Sequence, residues 1–386
     1  MLIWTALLIP LIFTGILYFK YEKETTKWEM CLPLVVSFLL CLGSKALIEK
    51  IQTDDTEYWS GYVIHSQYFE RWNEEVPCRH AKYSRDSKGN RHFEGYEHSY
   101  DVDDHPPQWK VTDSNGITIS IDSPTFDYLC HKFTNKTFID LHRHYHSING
   151  NEYRTTWTHD DLRLEPMVTA HTYENRIKAS NSVFKFQDVD PKKFGLFDYP
   201  KITGYYNQAS ILGNGGVTQP VANQLLNKLN AQIGATKQVR MFILVFRNQP
   251  VEAGFEQECY WKGGNKNEFI ITLGVNDQDE IQWCHPFSWT EVELLKIQIR
   301  DFVTEQKTLN LEKLVQGVVP QIQASFKRKH FKDFNYLTVE PPTWAILLTF
   351  LITIAVNLGV AYWVVNNDYG DFSDRFKFSF RSRMYS

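Results

Sequence analysis

The chain has 386 residues, with 41 Lys and Arg against 45 Asp and Glu and a formal net charge of -4. Balanced charge without a clustered basic surface excludes the electrostatic footprint of a nucleic-acid binder, so no nucleic acid is an expected partner. Aromatic residues make up 15% of the sequence, which suits large rings in a β-rich core and at a membrane interface.

In chain order, residues 2–19 (LIWTALLIPLIFTGILYF) come first as an almost unbroken apolar run, and about 20 such residues cross a hydrocarbon core. No Lys or Arg precedes the run and KYEK follows it, the reverse of a cleaved signal peptide. Residues 30–48 make a second run, with Pro33 in its first turn and a Lys45 that can snorkel to the headgroups. Residues 344–365 make a third, flanked by Trp344, Tyr362 and Trp363 as an aromatic belt would be. Three transmembrane helices are expected, the first two as a hairpin over residues 1–48. Positive charge beside the spans sets Lys20, Lys23, Lys27, Arg375, Lys377, Arg381 and Arg383 against Lys50, Lys327, Arg328, Lys329 and Lys332. The larger group marks the cytoplasmic side, so the soluble region is expected to be extracytoplasmic, in a bacterial inner membrane or similar envelope.

Residues 49–166 have mostly period-two patterning. Residues 58–64 read as a strand, and residues 108–111 and 117–121 alternate across Asp113-Ser-Asn-Gly116 as a hairpin. Ser123, with Pro124 behind it, is expected to cap a short helix, and residues 138–146 and 153–157 supply further strands. Residues 167–216 form a connecting segment of weak periodicity. From there the period changes. Thr218 opens an amphipathic helix that turns Leu225, Leu226, Leu229 and Ile233 to one face. Residues 239–246 (VRMFILVF) and 269–275 (FIITLGV) read as buried strands, with a third strand reaching Cys284 after the turn at Asn276. Ser288-Trp-Thr-Glu291 has the form of a capping box, and Asn310 opens a last helix before Pro341-Pro342. Its Leu311, Leu314, Val315, Val318 and Ile322 are expected to face the sheet. Residues 49–55 and 335–343 are short tethers, and the fold class expected is a mixed α+β and α/β soluble region on three membrane helices.

The element order over residues 218–334, helix, three strands and two closing helices, with a span behind it, resembles the TPM domain family. The resemblance implies a small α/β sandwich over residues 217–340, tethered to a membrane and serving an assembly or repair accessory. The family shows a Gly-rich signature where this chain reads WCHPFSW, residues 283–289, so no residue role is carried over.

Cys78, His80, His98 and His105 offer four ligands of the right softness for zinc, at a spacing that matches no standard zinc signature. The alternative is a Cys78 paired with another cysteine and solvated histidines. Cys78, Cys130, Cys259 and Cys284 allow three pairings, and a reduced domain with buried thiols fits equally. His142, His144 and His146 would share one face of a strand, as metal ligands or as the wet side of a half-buried sheet. Ile211-Leu-Gly-Asn-Gly-Gly216 invites a phosphate-loop reading, but no buried strand feeding it is legible and no Lys follows, so it reads as a linker. His159-Asp160-Asp161 and Asp101-Val-Asp-Asp104 supply carboxylates without the alternation of a calcium loop. No Gly-x-Ser-x-Gly elbow or His-Glu-x-x-His helix appears. The function expected is therefore a membrane-anchored interaction or accessory protein with a lipid bilayer and a protein as partners. A membrane-tethered metal-dependent hydrolase of phosphatase type, with zinc, is the alternative.

Overall fold

The computed structural model describes residues 2–20, 27–133, 136–140, 150–156, 164–180, 186–202, 208–214 and 220–366. It is a mixed α+β structure. Its contacts divide it into two units, the first from Met1–Thr56, Thr172–Lys185 and His330–Ser386, the second from Glu57–His171 and Phe186–Lys329.

Along the chain, a 3-10 turn (Leu2–Leu7) leads into α1 (Leu8–Lys20), and α2 (Lys27–Thr53) follows. A long strand, β1 (Asp54–Phe69), continues into the ribbon β2 (Trp72–Arg85) and β3 (Arg91–His105) and returns as β4 (Gln108–Asp113). Next come β5 (Thr118–Ile121), α3 (Ser123–Lys132), β6 (Lys136–Ile139), β7 (Glu152–Thr156), β8 (Pro166–Glu174) and the short α4 (Arg176–Ala179). The α/β part holds β9 (Ile211–Gly213), α5 (Pro220–Lys237), β10 (Arg240–Arg247), α6 (Glu252–Tyr260), β11 (Glu268–Val275), β12 (Ile281–Ser288), α7 (Glu293–Glu305) and α8 (Leu311–Ser325). The last helix is α9 (Thr343–Asn366).

In the first unit, α1, α2 and α9 pack on one another. Two of them, α2 and α9, are long and apolar enough to cross a membrane, and not three as the sequence suggests. The first apolar run yields a shorter helix because Pro10 has no N–H for the Ala6 carbonyl, so the α pattern does not run unbroken through it. Pro33 lies inside α2, which begins at Lys27, rather than in its first turn. At the far end of α2 the chain is clamped. Asn175 donates its backbone N–H to the Thr53 carbonyl at 2.6 Å, Arg176 pairs with Glu49 and Glu174 at 2.7 Å, and Lys178 reaches Asp55 at 2.7 Å. Gln52 and Ser180 hold the 339–340 connector, so both expected tethers are pinned by hydrogen bonds.

The second unit contains two cores. A six-stranded sheet in the order β5-β4-β1-β7-β6, with β8 also on β1, covers Val63, Val111, Ile121 and Met167 with Phe126, Leu129 and Phe133 of α3. Asp122 caps α3, accepting from Thr125 N at 3.0 Å, one residue earlier than the expected Ser123. The hairpin turn forms as its sequence suggests: Gly116 takes φ +81 and Asp113 accepts from the N–H groups of Asn115 and Ile117.

The other core surrounds a four-stranded sheet, β12-β11-β10-β9, parallel except for β12. Odd-numbered residues of β10 and β11 face α5, α7 and α8, while Phe242, Leu244, Phe246 and Ile270 face α6 and residues 194–199. Both faces are covered, which is why these strands read as continuous apolar runs. Leu311, Leu314, Val315, Val318 and Ile322 of α8 are all buried there. Ser288 belongs to β12, donating its hydroxyl to the Glu268 carbonyl, and α7 begins only at Glu293, so the capping box does not form.

Candidate functional site

The expected zinc ligands lie on the β2–β3 ribbon, where register decides what can meet. Cys78 pairs with Ser99, Arg79 with His98, His80 with Glu97 and Trp72 with His105. His105 is six residues along β3 from the position opposite Cys78, roughly 20 Å at the usual rise. An ion held at about 2.0–2.3 Å from each ligand cannot join His105 to the other three. The ladder therefore separates the set of four, because the 82–97 stretch continues the β2–β3 pairing to its turn, with one register shift between Lys82 and Tyr83. Among the described residues no three His, Cys, Asp or Glu side chains are grouped to hold a metal. His142, His144, His146, His159, Asp160 and Asp161 lie outside the described residues. Cys31, Cys41, Cys130, Cys259 and Cys284 are free thiols. Burial pushes the Cys284 thiol up to about 12, so it stays protonated and unreactive near neutrality.

The Ile211-Leu-Gly segment is not a linker. It is β9, paired in parallel with β10 through Ile243↔Ile211 and Val245↔Gly213. Three residues followed by glycines are too short to announce a strand by period, and only the partner strand reveals it.

One described cleft has the size of a small-molecule site. It encloses about 330 Å³ between α3, residues 164–166 and α5, and is lined by Tyr128, Lys132, Glu165, Gln224, Asn227 and Lys228 among others. Lys132 and Tyr128 both donate to Glu165 Oε2, the latter at 3.3 Å. Burial, then the Glu165 charge, raises the Tyr128 pKa, so the phenol stays neutral. Lys132 is thus neutralised by Glu165, and Lys228 is the other cation among the lining residues.

The pairing of His285 with Glu258, 2.7 Å from Nε2 to Oε2, has the form of a base with its orienting carboxylate. The ring lies 4.3 Å from that of Phe255. Among the described residues no hydroxyl or thiol is hydrogen-bonded to the imidazole, so a nucleophile for it is not in place.

The largest investment in buried polarity joins the two cores of the second unit. Arg240, 1% exposed, donates to Ser60 Oγ at 2.6 Å, Ser210 Oγ at 3.2 Å and the Gln208 carbonyl at 3.4 Å. Its neighbour across the ladder is Glu268, which accepts from Asn265 at 2.8 and 2.9 Å and from the Tyr199 hydroxyl. Burial lowers the Arg240 pKa against the pull of Tyr199 and Glu268, and raises that of Glu268 against its Asn265 and Tyr199 hydrogen bonds and the Arg240 charge; burial and then the Glu268 charge raise that of Tyr199. Neither charge is a ligand-facing group; the network ties β1 to the α/β sheet. Its sequence signal is faint: a charged residue opening each of two otherwise apolar strands.

Nearby, Glu57 is 2% exposed beside Lys266 at 3.3 Å, and His171 stacks on Trp59 with centroids 3.8 Å apart. Burial holds the His171 pKa below 6.5, against the opposing pull of Glu57 and Asp113. The unfolded chain then binds the proton first on acidification. The His171 contribution to stability is complete above about pH 6.5 and declines as pH falls toward the lower folded value. Melting of the full chain in detergent should drop between about pH 7.5 and 5.5, and drop less in a His171→Phe variant. Identical slopes for the two proteins would remove this assignment.

No protein-family model, curated protein or solved structure matches this chain. Function therefore rests on the geometry above.

Proposed function

We propose that this chain is a membrane-anchored interaction protein whose helical bundle sits in the bilayer and which presents the second unit, a large domain, to a partner. The observation that carries the reading is an inverted distribution of polarity. Ser37 is 0% and Asn357 1% exposed, joined by a 2.7 Å hydrogen bond, with Thr349 and Thr353 buried along the same seam of α9. Leu351, by contrast, is 64% exposed, as are Ile12, Leu39 and Leu47 to similar degree. Polar atoms inside and large apolar side chains outside is the pattern of helices solvated by lipid. Trp28 and Tyr362–Trp363, on ends of α2 and α9 that run antiparallel, would form one aromatic belt and Trp344 part of the other. The excess of Lys and Arg in the first loop and the tail supports a cytoplasmic location for both, with the second unit extracytoplasmic in a bacterial inner membrane. The resemblance of residues 218–334 to TPM domains is in line with an accessory role, although α6 stands between β10 and β11 where the sequence suggests consecutive strands.

Alkaline extraction of membranes tests the anchoring. The wild-type chain should stay in the pellet and the second unit should be protease-accessible only from the extracytoplasmic side. A Leu351→Asp variant, carrying a charge that costs about 2.5–3.5 kcal/mol at a span centre, should be integrated less. Release of the wild-type chain into the alkaline supernatant would reject the reading.

A further inference from the structure

The β2–β3 ribbon is the one long element of the second unit for which the rest of the described structure supplies no partner strand. Beyond Phe69↔Gln108 the β1–β4 pair loses its neighbours, and the ribbon continues alone from Trp72↔His105 to Arg85↔Arg91. Its 14 residues on the β2 side reach roughly 45 Å past the sheet. A solitary two-stranded ribbon is marginal in water and exposes two edges of unpaired N–H and C=O groups. Near its tip, Tyr83, Phe93 and Tyr96 form a cluster with ring centroids 5.2 and 5.8 Å apart, and Tyr96 is 61% exposed. Arg91 lies over the Tyr83 ring at 5.5 Å.

Charge is divided along this arm. Residues 79–97 carry five Lys or Arg against three Asp or Glu. Residues 72–78 and 98–105 carry five Asp or Glu and no Lys or Arg, and Asp104 pairs with Arg71 just below the root. An arm that is basic and aromatic at the tip and acidic at the root is complementary to itself when turned end for end. A two-fold axis makes that match twice, since each tip meets the other root.

We propose that the arm lies antiparallel along the arm of a second copy of this chain, each aromatic tip packing over the exposed Val102 and acidic root of its partner. The contact would cover the aromatic cluster and satisfy strand edges that the described residues of one chain leave open. It names the partner that the interaction reading leaves unspecified, and it depends on that reading for nothing else. A bilayer would also accept a basic, aromatic tip, but it offers nothing to the acidic root, whereas a second arm complements both.

The test is the mass of the full chain in nanodiscs, which is independent of alkaline extraction and so separates failure of the arm from failure of the anchoring. Wild type should be dimeric at micromolar concentration, with association weakened by salt. Reversing the tip, Lys82→Glu with Arg85→Glu, or the root, Asp101→Lys with Asp103→Lys, should each give monomers, at least tenfold weaker in association. Mixing the two variants should restore a heterodimer, which also shows that both are folded. A monomeric wild type, a dimer indifferent to both reversals, or no recovery on mixing would overturn the proposal. So would a tip variant of unchanged mass that has lost binding to vesicles containing anionic phospholipid, which would assign the tip to lipid.

Discussion

Replacing Arg240 by methionine should cost the full chain about 3–5 kcal/mol of unfolding free energy, the usual penalty for stranding one member of a buried charge pair. Methionine keeps the aliphatic stem, so the loss comes from polarity rather than volume. Without the guanidinium, Glu268 keeps its burial and its Tyr199 and Asn265 donors but loses the positive charge beside it. Ser60 and Ser210 each lose their bond to it in the same step. Denaturant unfolding in detergent micelles, read by tryptophan fluorescence, measures the change. Adding Glu268→Gln to Arg240→Met should cost less than the sum of the single variants, because the second change removes the charge that the first strands. Additive losses would mean that the two side chains do not act on one another.

Gly234→Val should be nearly as damaging, by about 3 kcal/mol, and for a steric reason. A Cβ at Gly234 of α5 would stand 2.2 Å from the Ser60 carbonyl oxygen and 2.8 Å from its carbon. Backbone cannot turn aside as a side chain can, so β1 and α5 would have to separate, and overpacking of this kind costs roughly 1–3 kcal/mol or more. The Ser60 hydroxyl that receives Arg240 would move with its strand, so this variant and Arg240→Met strike the same joint from two sides. Gly43 in α2 is the control, with nothing within 4 Å of its Cβ position. Gly43→Ala should be neutral or slightly stabilising, since alanine favours a helix by up to about 1 kcal/mol over glycine. Equal losses at both positions would show that close approach at Ser60 is not what Gly234 provides.

Elements buried on a consistent period were legible in the sequence. Residues 239–246 and 269–275 announce β10 and β11 because both faces are covered, and α8 announces itself through Leu311, Leu314, Val318 and Ile322 on one stripe. What escaped had its reason elsewhere in the chain. The ribbon β2–β3 has no fully buried residue among its described side chains and little apolar alternation, so its histidines and cysteine read as a metal loop when the ladder draws them out in a line. Ser288 has the spacing of a capping box, yet the Glu268 carbonyl competes for its hydroxyl and wins because β12 continues through it. The nine-residue α6 carries Gly254 and little apolar period, and is held by the sheet beneath it rather than by its own propensity. Arg240 and Glu268 looked like the polar ends of strands, and only their pairing across the ladder shows that both are buried.

The bundle in the first unit has a consequence for how the protein is made. Ser37 and Asn357, which meet in its interior, are separated by 320 residues of chain. At 5–20 residues per second a ribosome needs roughly 15–60 s to travel between them. For that interval the first two helices have been synthesised, while the side chains they turn inward have no α9 to meet. The second unit has meanwhile emerged almost entirely. α9 is thus made after the second unit, and a chain that stalls before it presents an unmatched serine where one that carries α9 presents a closed seam. A quality-control factor that senses exposed polar groups between helices could tell chains that carry α9 from chains that lack it by this contact alone.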